Sequence, residues 1–300
     1  MVLSIIICTF NRANFLKSCI NSIIDQIHDH KNIEILIIDN NSKDNTKELV
    51  KNYNLNNIVY YLETQQGLSF ARNKGIKEAK GNYLAFVDDD ATINKNWMKS
   101  ILYHLNEEKD NHIFGGPIFP NFEIKCPNWI DENYFKRSFK KNDGYLSSLV
   151  AQDGFSGGNM CIPKIIFEKI GFFNTNFGMK GKELGLGEES ELFFRIHNKL
   201  KKVRLFNINE MSITHFEAKF KLERKYLRDR IKLSSTQFTN RLIAKKSLNS
   251  YFLISGKLIK QIINLKLNFI LSLIANKKKF HYLKNYWIII GIKESIFSKT

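Results

Sequence analysis

The 300-residue chain has only 4 prolines and 16 glycines, with 43% hydrophobic and 25% charged residues. That balance excludes a collagen-like, mucin-like or mostly disordered chain. Cysteine is scarce as well. Cys8, Cys19, Cys126 and Cys161 are widely spaced and form no C-x-x-C pair, so no secreted disulfide framework is predicted and a reducing cytosol is the expected compartment. Long apolar runs are missing. The longest uncharged apolar stretch, residues 267–275, falls well short of the roughly 20 residues that cross a bilayer as a helix. The apolar run at the amino terminus spans about seven residues, lacks a basic region before it and meets Thr9, Asn11 and Arg12 at once, so it reads as a buried strand and not a signal peptide. Neither G-x-G-x-x-G nor G-x-x-x-x-G-K-[ST] occurs, which argues against dinucleotide and P-loop enzymes.

What the chain does have is a lopsided charge. Of a net +17, residues 217–300 carry +15, from 19 Lys and Arg against 4 Asp and Glu, leaving +2 for residues 1–216. A nearly neutral body precedes a basic tail, so an anionic membrane, nucleic acid or another phosphate-rich partner must be weighed. The tail reads as three helical segments at about 219–245, 251–275 and 282–298. In the second, Lys257, Gln261, Asn264, Asn268 and Ser272 line one face, while Ile259, Ile262, Ile263, Phe269, Ile270 and Leu273 lie elsewhere. With Tyr286, Trp287 and the Lys277, Lys278, Lys279 cluster nearby, such helices suit an anionic membrane surface. Packing on the main domain or in a homodimer is the other reading.

The body has a different rhythm. Apolar, β-branched runs at 2–8, 33–38, 58–62 and 83–87 alternate with helical patterns at 13–27, 45–52 and 69–79. Continuous apolar runs suit strands covered on both faces, and the alternation predicts an α/β, Rossmann-like, mostly parallel sheet flanked by helices. A helix at 96–108, a strand at 113–118 and a loop-rich stretch at 119–155 follow. Next come a strand at 160–162, helices at 164–170 and 188–198, and short strands at 203–206 and 211–214. The predicted domains are residues 1–216 and a basic helical extension of residues 217–300.

The chemistry concentrates at strand ends. Asp88, Asp89 and Asp90 directly follow a buried strand, at the carboxyl edge where open α/β sheets bind ligands. Three adjacent acids repel one another unless a divalent cation offsets the charge, and hard oxygen ligands suit Mg²⁺ or Mn²⁺ shared with substrate phosphates. A solvated acidic turn or a cap before the next helix is the bland alternative, which the strand context disfavours. Asp39 ends the second strand, earlier than a cap for the next helix requires. Thr9, Asn11 and Arg12 end the first strand, and Gln65, Gln66 and Gly67 lead from the third into a helix bearing Arg72 and Asn73. Four polar strand ends therefore converge on one crevice.

These residues carry a resemblance. Ser4 to Arg12, Asp39-Asn40-Asn41-Ser42, Gly67-Leu68 with Ala71-Arg72-Asn73, and Asp88-Asp89-Asp90 occur in that order; Gly157-Gly158-Asn159-Met160, Gly171-Phe172-Phe173 and Gly187-Glu188-Glu189 with Arg195 follow. Over residues 2–216 the series resembles the family-2 glycosyltransferases. The resemblance implies a GT-A fold and an inverting transfer of a hexosyl or N-acetylhexosaminyl group from a nucleotide-sugar donor, commonly a UDP-sugar, with Mn²⁺ or Mg²⁺. It assigns Asp39 to the nucleobase; Thr9, Asn11, Arg12 and Arg72 to the nucleotide; and Asp88 to the ribose. Asp90 and His215 would hold the metal, and Asp89, Gly158 and Asn159 would line the donor or acceptor sugar. Glu189 or its neighbour Glu188 would be the general base that deprotonates the acceptor hydroxyl. Trp129 could stack on a sugar ring or simply pack, and His215 could equally be structural.

The expectation is thus a peripheral enzyme at the inner face of a bacterial membrane, acting on a glycan or lipid-linked acceptor in surface-polysaccharide synthesis. A sugar-nucleotide pyrophosphorylase would want a glycine-rich, basic loop after the first strand, where Thr9-Phe10-Asn11-Arg12 stands. A nucleic-acid-binding protein using the tail would leave the strand-end acids unexplained, so no nucleic acid is expected.

Overall fold

The computed structural model describes residues 2–27, 32–107, 112–137, 142–146, 154–181, 183–244, 248–272 and 276–297. The chain divides into two compact units: residues 1–121, 136–184 and 188–216 form one, and residues 122–135, 185–187 and 217–300 the other.

The first unit starts with three strand–helix repeats, β1 (Leu3–Thr9), α1 (Ala13–Ile27), β2 (Ile33–Asp39), α2 (Thr46–Lys51), β3 (Ile58–Leu62) and α3 (Leu68–Glu78), followed by β4 (Tyr83–Asp88). Strands β1 and β2 are almost wholly buried, which is why their sequences are mainly apolar; the polar Ser4 and Glu34 within them satisfy each other, the Ser4 hydroxyl donating to Glu34 Oε1 at 2.6 Å. Helix α1 turns Leu16, Cys19, Ile20, Ile23 and Ile27 into the core at helical spacing. Its first turn is capped from another loop, where an Asp44 carboxylate oxygen accepts the Ala13 N–H at 3.0 Å. Gly75 lets α3 close on β1, since a Cβ there would lie 2.6 Å from the Ile6 side chain.

The chain continues through β5 (Ala91–Ile93), α4 (Trp97–Glu107), β6 (Ile113–Gly115), β7 (Ile118–Phe122) and β8 (Gly144–Tyr145). The unit then adds β9 (Asn159–Pro163), α5 (Lys164–Ile170), α6 (Glu188–Lys199), β10 (Leu205–Asn207) and β11 (Ile213–Glu217). The main sheet has the order β3-β2-β1-β4-β9-β6-β10-β8, and a small sheet the order β5-β11-β7. Strands β1 to β4 run parallel, as the alternation predicts, but β9 lies antiparallel between β4 and β6.

Two expectations are corrected here. The single strand at 113–118 is two strands in different sheets, interrupted at Gly116 and Pro117; Gly116 packs so closely on the chain that a Cβ there would sit 1.9 Å from the Met211 carbonyl oxygen. The stretch 119–155 is less irregular than its sequence suggests: β7 runs to Phe122, a 3-10 turn covers Glu132–Tyr134, and β8 follows. Residues 138–141 and 147–153 of that stretch lie outside the described residues.

The second unit contains α7 (Arg224–Ala244), α8 (Leu248–Ser272) and α9 (Asn276–Phe297). Leu227, Ile231, Phe280 and Trp287 pack with Ile130 and Phe135. Trp129 belongs to this core, 6.1 Å from the Phe280 ring centroid and 5.0 Å below the Arg224 guanidinium. Its apolar neighbours account for it without a sugar. Among the described residues no helix is long and apolar enough to cross a membrane.

Candidate active site

The carboxyl ends of the first strands are brought level by register, with Thr9 opposite Asp39 and Cys8 opposite Asp88. Asp88 ends β4 and Ala91 begins β5, so Asp89 and Asp90 form the step from the main sheet to the small one. Strand β11 lies antiparallel on β5 with His215 opposite Ala91, and the Phe216 N–H donates to the Asp90 carbonyl at 2.8 Å. That pairing carries His215 to the acids. Its Nε2 stands 3.1 Å from Asp90 Oδ1 and 3.8 Å from Asp88 Oδ2. One ligand atom from each of Asp88, Asp90 and His215 lies within 4.8 Å of the other two. Two carboxylate oxygens and one imidazole nitrogen make a donor set that fits a hard or borderline divalent ion.

Asp89 is not one of the three clustered residues. Thr9 Oγ1 donates to it at 2.7 Å and Arg12 Nη1 at 3.1 Å, while the same Arg12 nitrogen stands 3.0 Å from Asp90 Oδ2. Burial pushes the Asp89 carboxyl up to about 6; Asp90 and Asp88 add to the rise, and Arg12 and Thr9 oppose it. Expected to line a sugar, Asp89 is instead 5% exposed, with both oxygens engaged.

The second acidic group opens helix α6, after Gly187 at φ +90°. Arg72, only 3% exposed, holds it: Nη1 lies 3.1 Å from Glu188 Oε1 and 3.3 Å from Glu189 Oε1, and Nη2 is 3.6 Å from Asp88 Oδ1. One guanidinium therefore joins the metal-type cluster to the glutamate pair. The resemblance assigns Arg72 to the nucleotide; the structure surrounds it with carboxylates and sets it over the Phe173 ring. Burial and the neighbouring Glu189 charge push the Glu188 carboxyl up to about 8, although Arg72 opposes them. Burial acts on Glu189 too, but Arg72 and Arg137 outweigh it and hold that carboxyl below its ordinary value. The two carboxyls are thus driven apart, Glu188 toward its protonated form and Glu189 toward the carboxylate.

Backbone approach completes the corner. The Gly157 N–H donates to Glu189 Oε1 at 3.1 Å, and a Cβ on Gly157 would meet Arg72 and Glu189 at 2.3 Å. A Cβ on Gly158 would lie 2.1 Å from Asp88 Oδ2. A side chain at either position would have to displace these charged groups.

Asp39 is buried, accepting from the Ser42 N–H at 2.8 Å and the Tyr60 hydroxyl at 2.7 Å, with a further lone pair on each oxygen. Asn11, at φ 54°, stitches two loops: its N–H donates to Ser42 Oγ and its side-chain oxygen accepts the Lys43 N–H. Asn159 departs from expectation. It is fully buried, donating to the Pro117 and Met211 carbonyls and accepting from the Trp97 indole N–H, so it braces the core behind the corner and does not reach a sugar. Tyr60 and Arg137 carry no sequence signal, and only their contacts with distant residues mark them. Gly157 stands in the glycine motif of the resemblance, but its contact with Glu189 is visible only in the structure.

Residues 4–167 match the family model described as "Glycosyl transferase family 2". A GalNAc(5)-diNAcBac-PP-undecaprenol beta-1,3-glucosyltransferase of Campylobacter jejuni is 27% identical over 215 residues, 70% of this chain and 67% of the relative. A glucosyl-dolichyl phosphate glucuronosyltransferase of Haloferax volcanii is 20% identical over 210 residues, covering 69% of this chain and 67% of the relative. Among solved structures, the mannosyltransferase PcManGT of Pyrobaculum calidifontis with GDP-Man and Mn²⁺ aligns with TM-score 0.63 at 14% identity, over 99% of this chain and 88% of the other. S. aureus TarS 1-349 with UDP-GlcNAc aligns with TM-score 0.57 at 16% identity, over 98% and 92%. The shared architecture is the GT-A fold. Because the family model spans more than half of the chain and takes in the strand ends that build the acidic corner, this protein belongs to glycosyl transferase family 2.

Proposed function

We propose that the protein is an inverting, divalent-metal-dependent glycosyltransferase. It would move a hexosyl or N-acetylhexosaminyl group from a UDP-sugar to a hydroxyl of a glycan or lipid-linked glycan in surface-polysaccharide synthesis. The observation that carries this reading is the single guanidinium of Arg72 between the Asp88, Asp90 and His215 cluster and the Glu188–Glu189 pair. The UDP-GlcNAc in the TarS neighbour supports the donor class, and the Mn²⁺ in the PcManGT neighbour supports the metal. The undecaprenol and dolichyl phosphate in the names of two relatives support a lipid-linked acceptor.

Asp90, His215 and Asp88 would hold Mn²⁺ or Mg²⁺. A divalent ion there supplies Lewis-acid stabilisation of the charge on the departing diphosphate. Asp39 would accept hydrogen bonds from the nucleobase through its remaining lone pairs, and Thr9, Asn11 and Arg12 would line the nucleotide. Gly158, with no side chain, lets the Asp88 carboxylate close against the backbone, and it would line the donor or acceptor sugar from there. Glu189, ionised at neutral pH, takes the proton of the acceptor hydroxyl; that oxygen then bonds to the anomeric carbon as the bond to the diphosphate breaks. One displacement inverts the centre. Residues 217–300 would hold the enzyme on the anionic inner face of the membrane.

Release of nucleoside diphosphate from a panel of UDP- and GDP-sugars, with Mn²⁺ or with EDTA, tests the reading without a known acceptor. Turnover of one donor that EDTA abolishes is expected. A panel in which nothing turns over, and in which neither UDP nor GDP binds in the presence of Mn²⁺, would overturn it.

A further inference from the structure

Helix α8 is turned inside out for a helix on a water-facing surface. Lys257, Gln261, Asn264 and Asn268 are half-buried on its inner side. The Lys257 ammonium lies 3.4 Å from the Phe238 ring centroid, and the Asn268 amide donates to the Asn264 carbonyl at 2.9 Å. On the opposite side Ile259, Ile263 and Leu267 are 58%, 60% and 56% exposed, with Ile262 at 40%. Positions 259, 263 and 267 recur at four-residue intervals, so they form one stripe about 12 Å long at 1.5 Å per residue. Water is a poor solvent for such a stripe.

Charge decides what covers it. Residues 217–300 carry +15, so a second copy on this face would bring two strongly basic segments together, whereas an anionic lipid surface complements them. Lys260 is exposed at the edge of the stripe, where its ammonium can reach headgroups. Helix α8 is not apolar enough to cross the bilayer. We infer that Ile259, Ile262, Ile263 and Leu267 seat in the headgroup–acyl boundary of an anionic bilayer, with α8 lying in the plane of the surface. This rests on the membrane reading of residues 217–300 and specifies the face that inserts.

Flotation of the full chain with phosphatidylcholine vesicles, with and without phosphatidylglycerol, tests it. The wild type is expected to float with the anionic vesicles. The triple variant Ile259→Ser, Ile263→Ser, Leu267→Ser should bind them at least about tenfold more weakly at low salt. Tyr103→Ser, an exposed aromatic on α4 in the other unit, should bind as the wild type does. Circular dichroism of the triple variant should show unchanged helix content, since the three side chains face outward. If the wild type fails to float, the membrane reading falls and this inference falls with it. If the wild type floats and the triple variant floats equally well, the membrane reading stands and the face assignment is wrong. A triple variant that converts a dimer to a monomer in sedimentation, with vesicle binding intact, would make a second copy the occupant.

Discussion

Asp90→Ala should lower metal-dependent turnover of the donor by about 10²- to 10³-fold. Asp90 is 9% exposed and faces two partners, with Oδ1 3.1 Å from His215 Nε2 and Oδ2 3.0 Å from Arg12. Its removal takes a charged oxygen from a three-ligand cluster, and Asp88 and His215 alone would hold a divalent ion poorly. The loss should therefore appear twice, as weaker Mn²⁺ binding in a titration followed by electron paramagnetic resonance and as lower turnover at saturating Mn²⁺. Asp90→Asn keeps the shape and removes the charge, so it should behave like the alanine variant. Wild-type turnover and wild-type Mn²⁺ affinity in both variants would take Asp90 out of the reaction.

Glu189→Gln should cost about 10²- to 10⁴-fold in kcat, the usual contribution of a general base, while leaving binding of the nucleotide in place. Glu188→Gln should keep most activity, because burial and the Glu189 charge drive Glu188 toward the neutral form that the amide mimics. Glu188→Gln should also change how stability depends on pH. The folded-state value of Glu188, about 8, lies above its ordinary 4.5. Its contribution to stability is complete below the ordinary value and is lost as the pH rises through about 8. The wild type should accordingly lose more Tm than Glu188→Gln between pH 5 and about 8, as read by differential scanning fluorimetry in matched buffers. If Glu188→Gln is the inactive variant and Glu189→Gln the active one, the roles of the two carboxyls are exchanged.

The parts of the fold built from neighbouring residues are legible in the sequence. Helix α1 occupies residues 13–27 because Leu16, Ile20, Ile23 and Ile27 repeat at helical spacing, and β3 occupies 58–62 as its apolar run indicates. What sequence reading misses depends on distant partners. Strand β9 enters the sheet against β4, with Met160 opposite Phe86, and nothing local in Asn159–Pro163 announces that direction. The break at Gly116 lies where the Met211 carbonyl, distant in sequence, leaves no space for a side chain. The same division runs through the site. Asp88, Asp89 and Asp90 stand out as acids after a buried strand, but the turning of Asp89 toward Thr9 and Arg12 follows from three-dimensional packing. Arg72 meets Glu188 and Glu189 across 116 and 117 residues of chain. For α8, periodicity separates a polar from an apolar face, but only its packing on α7 and α9 says which one turns inward.

Central to the account is a single displacement driven by a carboxylate set opposite the leaving diphosphate. Proton NMR of the first sugar released from the hydrolysed donor tests this most directly, because the anomeric configuration is recorded before mutarotation erases it. The initial product should have the anomeric configuration opposite to that of the donor and should form at least about 10²-fold more slowly in Glu189→Gln. An initial product that retains the donor's configuration, or one released by Glu189→Gln at the wild-type rate, would contradict it.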